Sequence, residues 1–251
     1  MGPFRAGLER QLARWRESRA AGMPRVGWKI GINVPEVQQR LGLPHAGMGW
    51  LDGARVYETG RVLELRPEAK LHVEVEAGIR LGAAVSAADS LSIARGKILT
   101  VHPALEIVDY AIPTSSLDDL LEHSMFHAGT VLGTGVPLAS WQSLPADCPS
   151  LAVSGRSESP NRRDLVPQDL GEAVLFVARF LEELGMTLDE GDLVLSGSYL
   201  PTALPVSECG PIRGDFGELG SVEVEYVAAV AEGGDDGPRA GTLDASASKP
   251  T

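Results

Sequence analysis

The spacing of apolar residues changes period several times along the chain. Residues 4 to 21, "FRAGLERQLARWRESRAA", set Phe4, Leu8, Leu12 and Trp15 at intervals of four, four and three, with Arg and Glu on the remaining faces. That spacing predicts an amphipathic helix, stopped by Gly22 and Pro24. From Val26 the period falls to two. Val26, Trp28, Ile30 and Ile32 point one way and Gly27, Lys29, Gly31 and Asn33 the other, a strand with one lysine between two glycines. "PEVQQRLGL" reads as a short helix with Pro35 near its start and Gly42 near its end. A turn-rich stretch through Gly53 follows, and strands are expected to dominate to about residue 110. "LDDLLEHSMFH", residues 117 to 127, is expected to be helical. "GEAVLFVARFLEELG" is the strongest helical pattern in the chain, with Gly185 as its C-terminal cap. "LVLSGS" and "GSVEVEYVAAV" read as two strands separated by turn-rich sequence.

Strands that surround rather than alternate with helices favour an α+β or mainly-β architecture over a doubly wound sheet. The 251 residues, 43% hydrophobic, suffice for one large domain. That domain is assigned to residues 1–231, with a disordered tail at 232–251 that lacks aromatics and periodicity. No internal repeat is visible. The net charge of −12 argues against a nucleic-acid surface and for small molecules or proteins as partners. Cys148 and Cys209 have no metal-ligand or redox spacing, which fits a reducing, cytoplasmic compartment. No secretory leader and no apolar run long enough for a membrane span is present, so no membrane partner is expected.

Three carboxylates carry the candidate chemistry. "LHVEVEAGIRL", residues 71 to 81, places Leu71, Val73, Val75 and Ala77 on one strand face and His72, Glu74 and Glu76 on the other. An antiparallel strand with one wet face produces such alternation without any chemistry. Two carboxylates on one face are also half of an oxygen-rich site for a hard cation such as Mg²⁺. Glu106 lies between Leu105 and Ile107 in "HPALEIVDYAI", a run suited to a buried strand, where a carboxylate must be paired, hydrogen-bonded or bound to a cation. Arg80 and Arg95 are candidate partners for a purely structural Glu106. Otherwise Glu74, Glu76 and Glu106 supply three oxygens to one octahedral cation, with positions left for substrate and water.

The segments "VGWKIGIN", "VEVEAGI", "PALEIVD", "LVLSGS" and "FGELGSV", in that order between about residue 10 and residue 227, resemble the fumarylacetoacetate hydrolase superfamily. Within it they are most similar to the 2-hydroxypentadienoate (2-keto-4-pentenoate) hydratase and 4-oxalocrotonate decarboxylase branch. The resemblance implies a mixed β-rich roll with peripheral helices. It makes Glu74, Glu76 and Glu106 the ligands of Mg²⁺ or Mn²⁺, Lys29 the active-site lysine, and Ser196, Gly197 and Ser198 part of the loop lining the substrate pocket. A cation there chelates the carboxylate and 2-oxo oxygens of the substrate and stabilises an enolate. Burial and a nearby dication would both lower the pKa of Lys29 and suit it to proton transfer; the alternative is a lysine snorkelling to the surface.

The chain also departs from the branch. Where its hydratases carry an Asp-Asn-Ala-Ser-like segment, "EHSMFHAGTVLG" puts His123, Ser124, Phe126 and His127. On a helix His123 and His127 would share a face, free to replace the missing catalytic groups, to bind a metal, or to stay solvated, with Ser124 beside them at the substrate. Gly47 stands where an acidic residue is often found, and only 28 residues precede Lys29, fewer than in the usual N-terminal extension. The expected function is a divalent-metal-dependent, hydratase-like lyase acting on a 2-oxo or 2-hydroxydienoate acid. Decarboxylation, C–C hydrolysis or tautomerisation on the same metal, and a non-catalytic binding or scaffold subunit, are the alternatives. The resemblance further implies at least a homodimer, with Trp15 buried against the partner.

Overall fold

Two long strands with unbroken apolar faces organise the molecule. The structure is a computed structural model that describes residues 5–141, 148–160, 164–165 and 169–229. Phe4 and the tail expected at 232–251 lie outside the described residues. The amphipathic helix α1 (Arg5–Ala20) is followed by β1 (Gly27–Gly31), α2 (Pro35–Leu41), β2 (Gly47–Trp50), β3 (Val56–Glu58) and β4 (Arg61–Leu65). The long strands β5 (Leu71–Leu81) and β6 (Ile98–Asp109) are joined through α3 (Leu91–Gly96). Next come α4 (Leu117–Glu122), β7 (His127–Leu132), α5 (Leu138–Trp141), β8 (Ser150–Val153), β9 (Arg156–Glu158) and α6 (Leu170–Glu183). The described chain closes with β10 (Leu193–Leu195), β11 (Leu204–Pro205), β12 (Gly210–Asp215) and β13 (Ser221–Ala228).

The strands form two mixed sheets, one ordered β2-β1-β10-β5-β6-β7-β3 with β11 also on β5, the other β4-β13-β12-β8-β9. In the antiparallel β5–β6 register Val75 stands opposite Leu105, and Glu74 opposite Glu106. A side chain on Gly214 of β12 would meet both Leu105 and Val75 at 3.2 Å, so the second sheet packs on the apolar face of β5 and β6. Val73, Val75, Ala77, Ile79 and Leu105 are fully buried there, each larger side chain contributing about 1.5–3 kcal/mol. The carboxylates, on the alternate positions, face away from the second sheet.

That other face is concave. β1 and β6 are three strands apart in the sheet order, roughly 14 Å if the sheet were flat, yet the ammonium of Lys29 on β1 hydrogen-bonds Glu106 on β6. The sheet therefore curls, as the expected β-rich roll requires. Close backbone contact helps it do so: Gly27 has φ +148°, and a Cβ there would lie 1.9 Å from the Leu193 carbonyl of parallel neighbour β10. The helices lie peripherally. α1 is fixed by Gln11, a buried amide that donates to the carbonyls of Met48 and Leu121. Trp15 packs within the chain, its ring 5.6 Å from that of Trp28, so the residue expected at a subunit interface already has an intramolecular partner. No helix of the described residues is long and apolar enough to cross a membrane, and Cys148 and Cys209 form no disulfide.

Candidate metal centre

Strand register alone brings the three carboxylates together. Glu74 and Glu76 are two residues apart on one face of β5, and β6 sets Glu106 directly across from Glu74. One carboxylate oxygen from each lies within 4.8 Å of the others, a spacing suited to oxygens that share one hard cation. Glu76 and Glu106 are fully buried, while Glu74 retains some exposure. The wet face of the E-x-E strand thus closes over at Glu76, and the cluster meets solvent on the Glu74 side.

Lys29 and His127 converge on one oxygen of Glu106. The buried Lys29 ammonium donates to Oε1 and lies 3.5 Å from the carbonyl of Met125. The His127 Nδ1 is 2.8 Å from the same Oε1. Among the described residues Glu106 Oε2 has no hydrogen-bond partner, nor has Glu76 Oε1, whereas Glu76 Oε2 accepts from the backbone N–H of Gly197 at 2.9 Å. Buried carboxylate oxygens without donors are costly. Two of the three clustered carboxylates carry such an oxygen, a donor set that fits a divalent cation. The arginines offered as structural partners go elsewhere: Arg80 donates to the Gly191 carbonyl and Arg95 pairs with Asp169.

The electrostatics agree. Burial, then the charge of Glu106, push Glu74 up to about 7 against the pull of Lys29. Burial and both neighbouring carboxylates raise Glu76 well above the ordinary range. Burial opposes ionisation of Glu106 as well, but Lys29 and then His127 outweigh it and hold it below its usual value. Burial acts to lower Lys29, as expected, yet the charges of Glu106 and Glu74 reverse the sign and hold it raised; a dication on those carboxylates would act the other way. The cluster is thus one ion pair plus two carboxyls that need positive charge before they ionise readily.

The segment expected to be one helix from 117 to 127 is not. α4 ends at Glu122, and Ser124, Met125 and Phe126 follow with φ of 48°, 53° and 67°. Three consecutive left-handed non-glycine residues persist only where the surroundings over-determine them. The anchors are plain: the Ser124 hydroxyl accepts from the Trp50 N–H at 3.3 Å, and Met125 fills the gap left by Gly31 and Gly47, where a Cβ would meet its sulfur at 2.8 and 2.9 Å. His123 and His127 consequently share no helical face. His123 contacts the Asp119 carbonyl and Arg14, each at 2.9 Å, on the outer side where α1 meets α4; only His127 reaches the carboxylates.

The loop after β10 touches the cluster through its backbone. Besides the Gly197 N–H on Glu76, the Ser196 hydroxyl accepts from the Ala77 N–H and donates to the Gly197 carbonyl, and the Ser198 hydroxyl accepts from the Leu200 N–H. Asn33 fixes the loop by donating to the Ser198 carbonyl at 2.9 Å. Sequence reasoning passed over Thr130, which is fully buried opposite Glu106 on β7, its hydroxyl without a partner among the described residues. It also passed over Tyr110, whose ring stands against His72 and Phe126. The alternation of "HAGTVLG" is the signal that would have placed Thr130; Tyr110 lies beyond the end of β6, where periodicity says nothing.

No family model matches the chain. Among curated proteins it is 30% identical over 222 residues to the TodF product hydratase of Pseudomonas putida, covering 83% of this chain and 79% of that protein. It is 27% identical over 208 residues to a 2-keto-4-pentenoate hydratase of Burkholderia vietnamiensis, covering 80% and 78%. Of solved structures, 4-oxalocrotonate decarboxylase from Pseudomonas putida G7, complexed with magnesium and adipate, superposes with a TM-score of 0.73 at 19% identity over 86% of this chain and 83% of that one. Fumarylpyruvate hydrolase from Pseudomonas aeruginosa, in complex with Mn²⁺ and pyruvate, gives 0.60 at 21% identity over 82% and 91%.

Proposed function

The chain belongs to the hydratase branch of the fumarylacetoacetate hydrolase superfamily, and from that premise we propose a divalent-metal-dependent, hydratase-like lyase acting on a 2-oxo or 2-hydroxydienoate acid. Glu74, Glu76 and Glu106 would hold Mg²⁺ or Mn²⁺. One observation carries the reading: three carboxylates within 4.8 Å, two with an unpartnered buried oxygen, in a curl that also holds a charged lysine and a histidine. When bound, the cation supplies a Lewis acid for the chelating carboxylate and 2-oxo oxygens of such an acid. A scaffold subunit would have no need to retain so costly a cluster.

The chain's own residues supply the rest. Lys29, buried from solvent, holds a proton at Nζ, where its charge would stabilise negative charge developing on a substrate oxygen. Glu106 keeps Lys29 and His127 on one oxygen and leaves the other free. With Nδ1–H assigned as donor to Glu106, His127 presents Nε2 as a lone-pair acceptor, the form a general base needs. The Gly197 N–H orients the Glu76 carboxylate.

Two substitutions test this. Glu106→Gln removes an anionic oxygen while keeping shape, and should weaken Mn²⁺ binding in a calorimetric titration. Lys29→Met keeps all three carboxylates; it should not weaken metal binding and should lower turnover of a 2-hydroxydienoate, followed in the ultraviolet, by ~10²-fold or more. A wild type that binds no divalent metal, or two variants with full activity, would refute the proposal.

A further inference from the structure

We infer that the rings of His72, Tyr110 and Phe126 frame the opening of the carboxylate cluster and select substrates with an uncharged aryl tail over saturated or carboxylate-ended ones. The inference rests on the proposed reading of Glu74, Glu76 and Glu106 as the metal-holding group.

The placement follows from the strands. His72 lies on the same face of β5 as Glu74, two residues toward the strand's start, and Glu74 is the partly exposed member of the cluster. Tyr110 follows β6 one residue after Asp109, which pairs with Leu71, so it emerges beside His72. The two rings are 4.3 Å apart and tilted by 35°. Phe126 precedes His127, the residue bonded to Glu106, and meets Tyr110 edge to face at 5.0 Å. Tyr110 is 42% exposed, which puts it at an opening rather than in the core. Glu74 and Glu106 both act on its phenol, which burial and those charges push up to about 12, so its O–H remains a donor beside the cluster.

The frame is rigid where selection needs it. Phe126 is the last residue of the left-handed turn that Ser124 and Met125 clamp from either side, so its ring is set before any ligand arrives. His72 lies tilted against Tyr110 and Phe126 meets it edge to face, so the exposed side of Tyr110 is the ring surface left for a flat tail. A second carboxylate would pass Glu74 and the negative faces of Tyr110 and Phe126.

The test uses Mn²⁺-loaded full-length protein and chelating 2-oxo acids as probes, measured by calorimetry. 4-Phenyl-2-oxobutanoate should bind roughly 2- to 10-fold more tightly than 2-oxooctanoate, the worth of one added aromatic pair, and 2-oxoadipate more weakly than either. Tyr110→Leu and Phe126→Leu should each shrink the aryl-to-alkyl ratio toward one. Tyr110 is exposed enough for its variant to fold, and the ratio is internal to each protein. An unchanged ratio in both variants, or a wild-type preference for 2-oxoadipate, overturns the inference. If the wild type binds Mn²⁺ and pyruvate but shows no aryl preference, this inference alone falls; if it binds no Mn²⁺, the proposed function falls with it.

Discussion

Glu74 makes the metal-free protein sensitive to pH in a direction opposite to that of most folded-state carboxylates. An acid held at about 7 in the folded chain, against an ordinary 4.5, favours the fold most when protonated. Its contribution is therefore fully present below about pH 4.5 and is lost as pH rises through about 7. The whole shift corresponds to about 3 kcal/mol at 1.36 kcal/mol per unit. Partial exposure of Glu74 lowers this to ~2 kcal/mol between about pH 5 and pH 8. For a chain of this length that is a fall of about 4–8 °C in Tm. Scanning calorimetry in EDTA should show wild type losing that much more than Glu74→Gln over the same window, because the amide neither titrates nor repels Glu106. Comparing the two proteins cancels the histidines and the general effect of net charge. Excess Mn²⁺ should invert the trend, since binding releases the proton and the stabilisation by metal grows with pH. Parallel Tm curves for wild type and Glu74→Gln in EDTA would refute this account of the cluster's electrostatics.

Other perturbations reach the fold around the site. Gly27→Ala puts a methyl 1.9 Å from the Leu193 carbonyl at φ +148°; a loss above about 4 kcal/mol is expected, seen as insoluble protein or a collapsed denaturation midpoint. Gln11→Leu leaves the Met48 and Leu121 carbonyls without their donor and should cost about 1–3 kcal/mol by urea titration with Mn²⁺ affinity unchanged. We predict at least a dimer, as the resemblance implies; Val62, Ile93 and Leu99 are 50%, 51% and 62% exposed. Light scattering at micromolar concentration should give a mass of twice 26.5 kDa or more, and a monomer would count against it.

Elements with a strong period were legible in the sequence: α1, β1, the short α2 with Gly42 as its left-handed cap, β5, β6, α6 and β13 all fall where apolar spacing puts them. Elements without one were not. α3 is six residues begun by a Ser90 cap, too short for a helical stripe to emerge from the strands around it. β12, "GPIRGD", buries only Ile212 and Gly214, and its pairing with β13 and β8 is decided by partners distant in sequence. The error over residues 117 to 127 has a definite cause. Leu117, Leu120 and Leu121 carry a helical pattern that gives no warning of the turn after it, because that turn is stabilised by Trp50 and by room at Gly31 and Gly47.

The candidate site divides along the same line. Glu74 and Glu76 share a face because a strand has period two, which sequence states directly, and Glu106 could be suspected from its apolar neighbours alone. The meeting of Lys29 with Glu106 could not, for it depends on a sheet curled enough to bring β1 over β6 across two intervening strands. Nor could the raised Lys29, since its sign comes from a balance between burial and three carboxylates that only their actual positions decide. His123 and His127 show the limit most sharply. Identical in type and four apart, they offered equal claims on a helix; a turn of three left-handed residues sends one to Arg14 and the other to Glu106. Local pattern thus fixes which residues bring charge to the centre of this fold, and non-local closure fixes which of them act on one another.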